Sequence, residues 1–190
     1  TNLRMPAILA GANPRIVNLS SAGHTHSDVN LDDPNFEKSE YNAWESYGRS
    51  KSANIHFTQE IVRRYGDRIQ SFAVHPGVIM TELGRHLTPE LMNEMTERVK
   101  SRATSSSEAK ETGALPFKSV EAGAATQVWA SVTEDLSENN GAYLGDCQVG
   151  VEGGNPSESG YLPYIFNRDT AEALWSLSEK LVKQEFPQLT

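Results

Sequence analysis

Tyr47-Gly-Arg-Ser-Lys51 sets a phenol and an ammonium four residues apart, the spacing that makes two side chains neighbours on one face of a helix. A free phenol, with a pKa of about 10, is a poor proton donor or acceptor near neutrality. A fixed cation beside it stabilises phenolate and brings that value towards the working range. The pair reads either as an acid/base for proton transfer or as an ordinary surface Tyr and Lys. A bare Y-x-x-x-K is a weak motif, and its neighbours in the fold decide between the two.

Two further segments carry groups of this kind, Ser20-Ser21-Ala22-Gly23-His24 and His75-Pro76-Gly77-Val78-Ile79-Met80-Thr81. Each comes after a β-forming run: Arg15 to Ser20 reads as one strand and Ser71 to His75 as a second. Pro76-Gly77 ends the second, because proline cannot donate to a ladder and glycine opens the backbone. Between the strands, Asn42 with Glu45 three residues on marks the start of a long helix. Ala43, Trp44, Tyr47, Ile55, Thr58, Ile61, Val62 and Tyr65 supply its apolar rhythm, and Gly66 stops it.

The remaining elements obey the same logic. A helical remnant at the start ends at Asn13-Pro14, and the polar stretch from Thr25 to Tyr41 reads as an exposed loop. After Thr81 comes a predicted helix over Pro89 to Val99 and then a Ser/Thr-rich run, so that about 82–113 is either a mobile lid or a solvated excursion. Ser119 to Val132 reads as a helix packing through Ala122, Ala124, Ala125, Val128, Trp129 and Val132. Asn139-Asn140-Gly141 makes a turn into a last strand, Ala142-Tyr143-Leu144, extended through Cys147 and Val149. Asp169 and Glu172 form a capping box for a final helix carrying Leu174, Trp175, Leu177, Leu181 and Val182. Strand, helix, strand, helix, strand predicts one α/β domain over 1–190 with a parallel sheet. Chemistry then belongs at the carboxyl ends of its strands.

Composition narrows the partners. With 190 residues, 37% hydrophobic, and a mean hydropathy of −0.51, the chain suits a soluble globular domain. It has no apolar run of the roughly 18 residues that a membrane span requires. A net charge of −8 and pI near 5.1 oppose nucleic-acid binding. The single cysteine, Cys147, excludes an internal disulfide framework and fits a reducing, cytoplasmic setting. The first residues lack the pattern of a secretory signal.

Taken in order, the Ser21 segment, Tyr47-x-x-x-Lys51 and Pro76-Gly77-x-x-x-Thr81 resemble the short-chain dehydrogenase/reductase family. The phrases Arg15 to His24, Ser50 to Asn54 and Leu174 to Ser178, with the acidic insert before Tyr47, resemble its retinol dehydrogenase and WW-domain-containing oxidoreductase group. The resemblance runs nearly end to end and implies a Rossmann-type doubly wound sheet. It implies NAD(P)-dependent interconversion of an alcohol and an aldehyde or ketone, with Tyr47 as general acid/base. Lys51 would lower the Tyr47 pKa and hold the cofactor ribose, and Ser21 would bind the substrate oxygen. Tyr47, Lys51, Pro76, Gly77, Val78 and Thr81 would hold the nicotinamide end of the cofactor, NADP(H) favoured over NAD(H). Gly23 and His24 would border a small lipophilic carbonyl or alcohol substrate, and family habit suggests a homodimer.

The glycine-rich turn with which this family cradles a pyrophosphate has no match here. The resemblance is therefore to the carboxyl-terminal portion, with the cofactor-binding amino-terminal half missing from this chain and needed for activity, for instance as a companion fragment. The alternative is a catalytically silent interaction protein or inactive fragment of the fold. Other readings fit less well. Gly150, Gly153 and Gly154 lack the strand-glycines-helix order of a nucleotide fingerprint. A serine nucleophile at Ser21 lacks the first glycine of G-x-S-x-G, which Leu19 replaces. His24, His26 and Asp28 suggest solvated loop side chains more than a metal site, and His75 a packing or hydrogen-bonding residue at a strand end.

Overall fold

Two strand-helix-strand crossovers order the chain in the computed structural model, which describes residues 1–103, 117–134 and 136–188. A 3-10 turn and α1 (Met5–Leu9) lead into β1 (Arg15–Leu19), and α2 (Ala43–Tyr65) crosses to β2 (Gln70–His75). Beyond β2 lie α3 (Pro89–Ala103) and α4 (Val120–Val132), which leads to β3 (Tyr143–Gly145). Short β4 (Gln148–Val149), β5 (Val151–Glu152) and β6 (Gly160–Tyr161) precede α5 (Arg168–Val182).

The principal sheet runs β1-β2-β3-β4, its first three strands parallel as predicted. Leu19 pairs with Val74, and His75 with Gly145, so the strands finish together along one edge. Side-chain alternation then sorts the helices. Ala73 and Tyr143 pack with Ile55 of α2, while Phe72, Val74 and Leu144 pack with Ala130 of α4. The two helices therefore cover opposite faces, the arrangement of a doubly wound sheet. Phe72, Val74, Ile55 and Leu144 are fully buried, each contributing roughly 1.5–3 kcal/mol of transfer free energy.

α2 forms where its sequence signals place it. The Asn42 side chain accepts from Glu45 N at 3.0 Å, and Gly66 N closes the last turn on Val62 O. Its inward face also buries Glu60, which accepts from Arg63 and Arg64 at 2.6–2.7 Å. Burial alone would raise the Glu60 carboxyl pKa, but the bonds and charges of the two arginines outweigh it and hold it below the usual range. α5 packs on the flank of α2, with Trp175 stacked on Phe57 at 5.8 Å and the Arg64 guanidinium 4.3 Å over its ring.

Several expectations are corrected. The stretch from Thr25 to Tyr41 is not simply a solvated loop, since a 3-10 turn over Ala22–His26 enters it and Asp33 is buried. The Asp33 carboxylate accepts from the amides of Glu37, Lys38 and Ser39 and from the Ser39 hydroxyl, and Arg49 donates to its carbonyl. α4 turns Gly123, Thr126 and Ala130 inward, while Val128 and Val132 are 58% and 71% exposed, because only small residues fit the close approach to the sheet. The last strand breaks at Asp146 and Cys147, where the chain reverses into antiparallel β4. Asn167, not Asp169, caps α5 by accepting from Thr170 N at 3.0 Å. In α5, Ala171 and Trp175 are buried whereas Leu181 and Val182 are exposed. The predicted helix over Pro89 to Val99 extends to Ala103, and the part of the expected lid from 104 to 113 lies outside the described residues. No helix among the described residues is long and apolar enough to cross a membrane.

Candidate active site

Ser20 and Ser21 emerge from the end of β1 and take different roles. Ser20 is buried, its hydroxyl donating to Lys51 O at 2.9 Å and its amide to Val74 O. Ser21 is half-buried and begins the 3-10 turn, its Oγ accepting from Gly23 N at 3.0 Å. That bond uses the Ser21 oxygen and not its proton, so the hydroxyl can still donate.

Gly23 joins this turn to α2. A Cβ built on Gly23 would stand 2.5 Å from Tyr47 Cε1, 2.7 Å from Tyr47 Cδ1 and 3.4 Å from Ser21 Oγ. The phenol ring thus rests on bare backbone, on the glycine that also donates its amide to Ser21 Oγ, with 42% of the tyrosine exposed. Gly48 allows the same approach from the helix side: a Cβ there would meet Ser27 N at 2.8 Å and His26 Cβ at 2.9 Å. Lys51 Nζ lies 5.4 Å from the Tyr47 ring centroid and makes a long 3.4 Å bond to Leu19 O. Partial burial pushes the Lys51 pKa down from its ordinary value. Asn54 Nδ2 reaches the same carbonyl at 2.9 Å.

The third segment is tied to the first through His75. This buried imidazole accepts at Nδ1 from Ala22 N at 3.2 Å and more weakly from Gly77 N at 3.4 Å. It is the strand-end hydrogen-bonding residue expected from the sequence. Gly77 has φ +86°, a conformation that side-chain-bearing residues avoid. Thr81 is exposed and caps the next turn through its oxygen, accepting from Leu83 N, so its proton is not engaged by that contact. Ser21, Gly23, Tyr47 and Lys51 therefore form one cluster at the ends of β1 and β2. Pro76, Gly77, Val78 and Thr81 form the adjoining loop.

His24 departs from expectation. Its ring is fully buried, with Nδ1 donating to Ser21 O at 2.8 Å and Nε2 accepting from Leu162 N at 3.4 Å. It acts as a tether under Ser21 and does not border an accessible substrate surface. Tyr164 Oη also donates to His24 O. The His24-Thr25-His26 and Asp28 grouping does not converge: the His26 ring lies tilted against Trp44 with centroids 5.8 Å apart, while Asp28 bonds buried His56 at 2.7 Å. No metal-binding cluster of His, Cys, Asp or Glu occurs among the described residues.

Two features had no signal in the sequence. Trp44, read as a packing position, donates to Glu94 Oε2 at 2.6 Å and lies under the Arg98 guanidinium at 4.8 Å, which fastens α3 one helical turn from Tyr47. Lys118 lies across Gly77. Both depend on segments brought together only by the fold.

The sheet gathers Ser21, Tyr47 and Lys51 at its carboxyl edge, and the chain's homologues are short-chain dehydrogenases/reductases, retinol dehydrogenases among them. The chain is 36% identical over 192 residues to "Oxidoreductase calI" of Penicillium decumbens, covering 96% of this chain and 53% of that protein. It is 38% identical to "Short-chain dehydrogenase/reductase prx1" of Penicillium roqueforti, covering 88% and 46%. It is 33% identical to human "Retinol dehydrogenase 14", covering 96% and 48%. A crystal structure of an uncharacterized protein from Mycobacterium Paratuberculosis matches with a TM-score of 0.59 at 25% identity, over 91% of this chain and 52% of that one. No family model matches. The chain spans about half the length of the curated relatives it matches, in keeping with a portion of such a protein.

Proposed function

We propose that the chain is the catalytic and substrate-facing part of an NAD(P)-dependent oxidoreductase that interconverts an alcohol and an aldehyde or ketone. The observation that carries this reading is the packing of the Tyr47 ring on Gly23, the glycine whose Cβ position also lies 3.4 Å from Ser21 Oγ, with the ring centroid 5.4 Å from the Lys51 ammonium. Ser21 donates to the substrate oxygen and polarises the carbonyl. Tyr47 gives that oxygen its proton during reduction and removes it during oxidation. Lys51, partly withdrawn from water, stabilises the phenolate left behind.

The residues present fit the nicotinamide end of a dinucleotide. Gly77 offers backbone without a side chain, Thr81 keeps a hydroxyl proton to give, and the Lys51 ammonium is held by a long 3.4 Å bond to Leu19 O that a ribose hydroxyl can supplement. The bound cofactor supplies or accepts the hydride. The diphosphate-binding half is proposed to come from outside these 190 residues. The resemblance favours NADP(H) and a small lipophilic substrate. Because α5 covers one flank of α2, a homodimer formed through α2 would use the surface that α5 leaves open.

Titration of the full-length protein with NADPH and NADH, monitored by nicotinamide fluorescence, tests the reading. Saturable binding, with carbonyl-dependent oxidation of the reduced cofactor, is the expected result. No binding of either cofactor would replace it with the catalytically silent interaction protein.

A further inference from the structure

The loop after β2 is held from outside by a residue with no part in the site so far. Lys118 pairs with it through the main chain: Lys118 N donates to Val78 O at 2.8 Å, and Ile79 and Lys118 form an isolated parallel bridge. The lysine stem then crosses the face of Gly77. A Cβ at Gly77 would meet Lys118 Cδ and Cε at 2.7 Å and Nζ at 3.0 Å. Gly77 is thus glycine for two independent reasons, its positive φ and the lysine lying against it.

The ammonium end is fixed as well. Lys118 Nζ donates to Asp146 Oδ1, and both side chains are largely withdrawn from solvent, at 22% and 33% exposure. Asp146 sits in the two-residue turn between β3 and β4, where it and Cys147 take φ of 52° and 51°. Such a turn favours Asn and Gly, and side-chain-bearing residues persist at positive φ where the surroundings over-determine them. Here the surroundings are the Lys118 ion pair on one side and Thr126 Oγ1 on the other, which accepts from Cys147 N at 3.2 Å. The neighbouring face of the loop is set by α4, since Ile79 packs where Gly123 has no side chain.

We propose that Lys118, anchored by Asp146, is a positioning residue that holds the Pro76–Thr81 loop in the shape that receives the nicotinamide end of the cofactor. This inference rests on the proposed function, because it takes that loop as cofactor-facing. Lys118 carries no proton or hydride, so its loss acts on cofactor affinity and leaves the chemical step largely intact. The stem and the charge have separable effects. Methionine retains much of the stem over Gly77, whereas alanine removes both stem and charge.

The test uses the full-length protein and its Lys118→Ala, Lys118→Met and Asp146→Asn variants, with NADPH and NADH dissociation constants, kcat at saturating cofactor, and amide hydrogen exchange over residues 77–81. Lys118→Ala should weaken cofactor binding by about tenfold and raise exchange in the loop, with kcat at saturation within about twofold of wild type. Lys118→Met and Asp146→Asn should fall between it and wild type, and the Lys118→Ala/Asp146→Asn double variant should show no added loss, because the two changes break one contact. If Lys118→Ala fails to fold, the Lys118→Met and Asp146→Asn variants carry the same comparison. Wild-type cofactor binding with unchanged affinity and exchange in the variants overturns the role of Lys118 while leaving the oxidoreductase reading in place. Failure of the wild type itself to bind either cofactor overturns both.

Discussion

Gly23→Ala separates the geometry of the site from the stability of the fold. The added methyl would lie 2.5 Å from Tyr47 Cε1 and 2.7 Å from Cδ1, where ordinary carbon contacts begin near 3.4 Å. The ring must therefore retreat by roughly 1 Å, a displacement that costs on the order of 100-fold when it separates reacting groups. In free energy this is about 2.7 kcal/mol at the transition state. Tyr47 is 42% exposed and can swing outward, so the folded state should lose less than the 1–3 kcal/mol typical of overpacking an enclosed core. Steady-state turnover with NAD(P)H and a carbonyl substrate, together with urea denaturation of the full-length protein, reads both quantities. A large fall in kcat with a small change in denaturation midpoint is expected. Turnover within about twofold of wild type would refute the positioning of Tyr47 by the Gly23 backbone.

Gly48→Ala should behave differently, because its methyl would meet the backbone of Ser27 at 2.8 Å and Gly23 O at 3.1 Å, which cannot swing away. Here about 1–3 kcal/mol of stability should go with the activity, measured by the same denaturation. Glu60→Ala should cost about 3 kcal/mol by leaving Arg63 and Arg64 without their buried carboxylate, seen as a lower urea midpoint with an unchanged slope. Asp33 makes a pH-dependent contribution. The Ser39 hydroxyl, opposed by burial and aided by the amides of Lys38, Glu37 and Ser39, holds its carboxyl pKa below the ordinary value. A carboxyl depressed on folding stabilises above its unfolded pKa of about 3.9, and that contribution disappears as pH falls through the lower folded value. The stability advantage of wild type over Asp33→Asn should accordingly shrink in acid, and an advantage constant with pH would count against this role.

Much of the framework was legible because local chemistry and tertiary position agree. Asn42 has a side chain suited to capping the first turn of α2, Pro76 cannot extend a ladder, and the 3.6-residue rhythm of Ile55, Thr58, Ile61 and Tyr65 is the face that the sheet buries. Ser21, Tyr47 and Lys51 meet because parallel crossovers return each strand to the same edge. Other features depend on competition that sequence does not display. Asp169 has the spacing of a capping box, yet Asn167 takes the cap and leaves Asp169 in the first turn, where its charge suits the helix dipole. Asp146 and Cys147 are not a usual turn pair, and only their contacts with Lys118 and Thr126 show why the chain reverses there. His24 reads as a polar loop residue until Ser21 O and Leu162 N are seen on its two nitrogens. α4 is apolar on several sides, so its inward face is chosen by which side chains are small enough to meet β2 and β3.

In the proposed reaction Tyr47 moves the proton that accompanies hydride transfer. The most direct measurement of this role is the single-turnover rate of NADPH oxidation by a bound carbonyl substrate in full-length wild-type protein and in Tyr47→Phe, with the cofactor dissociation constant determined for each. The expected result is a fall of about 100- to 10,000-fold in the rate, the range of general acid–base catalysis, with cofactor affinity within about twofold. A Tyr47→Phe variant that transfers hydride at the wild-type rate would contradict it.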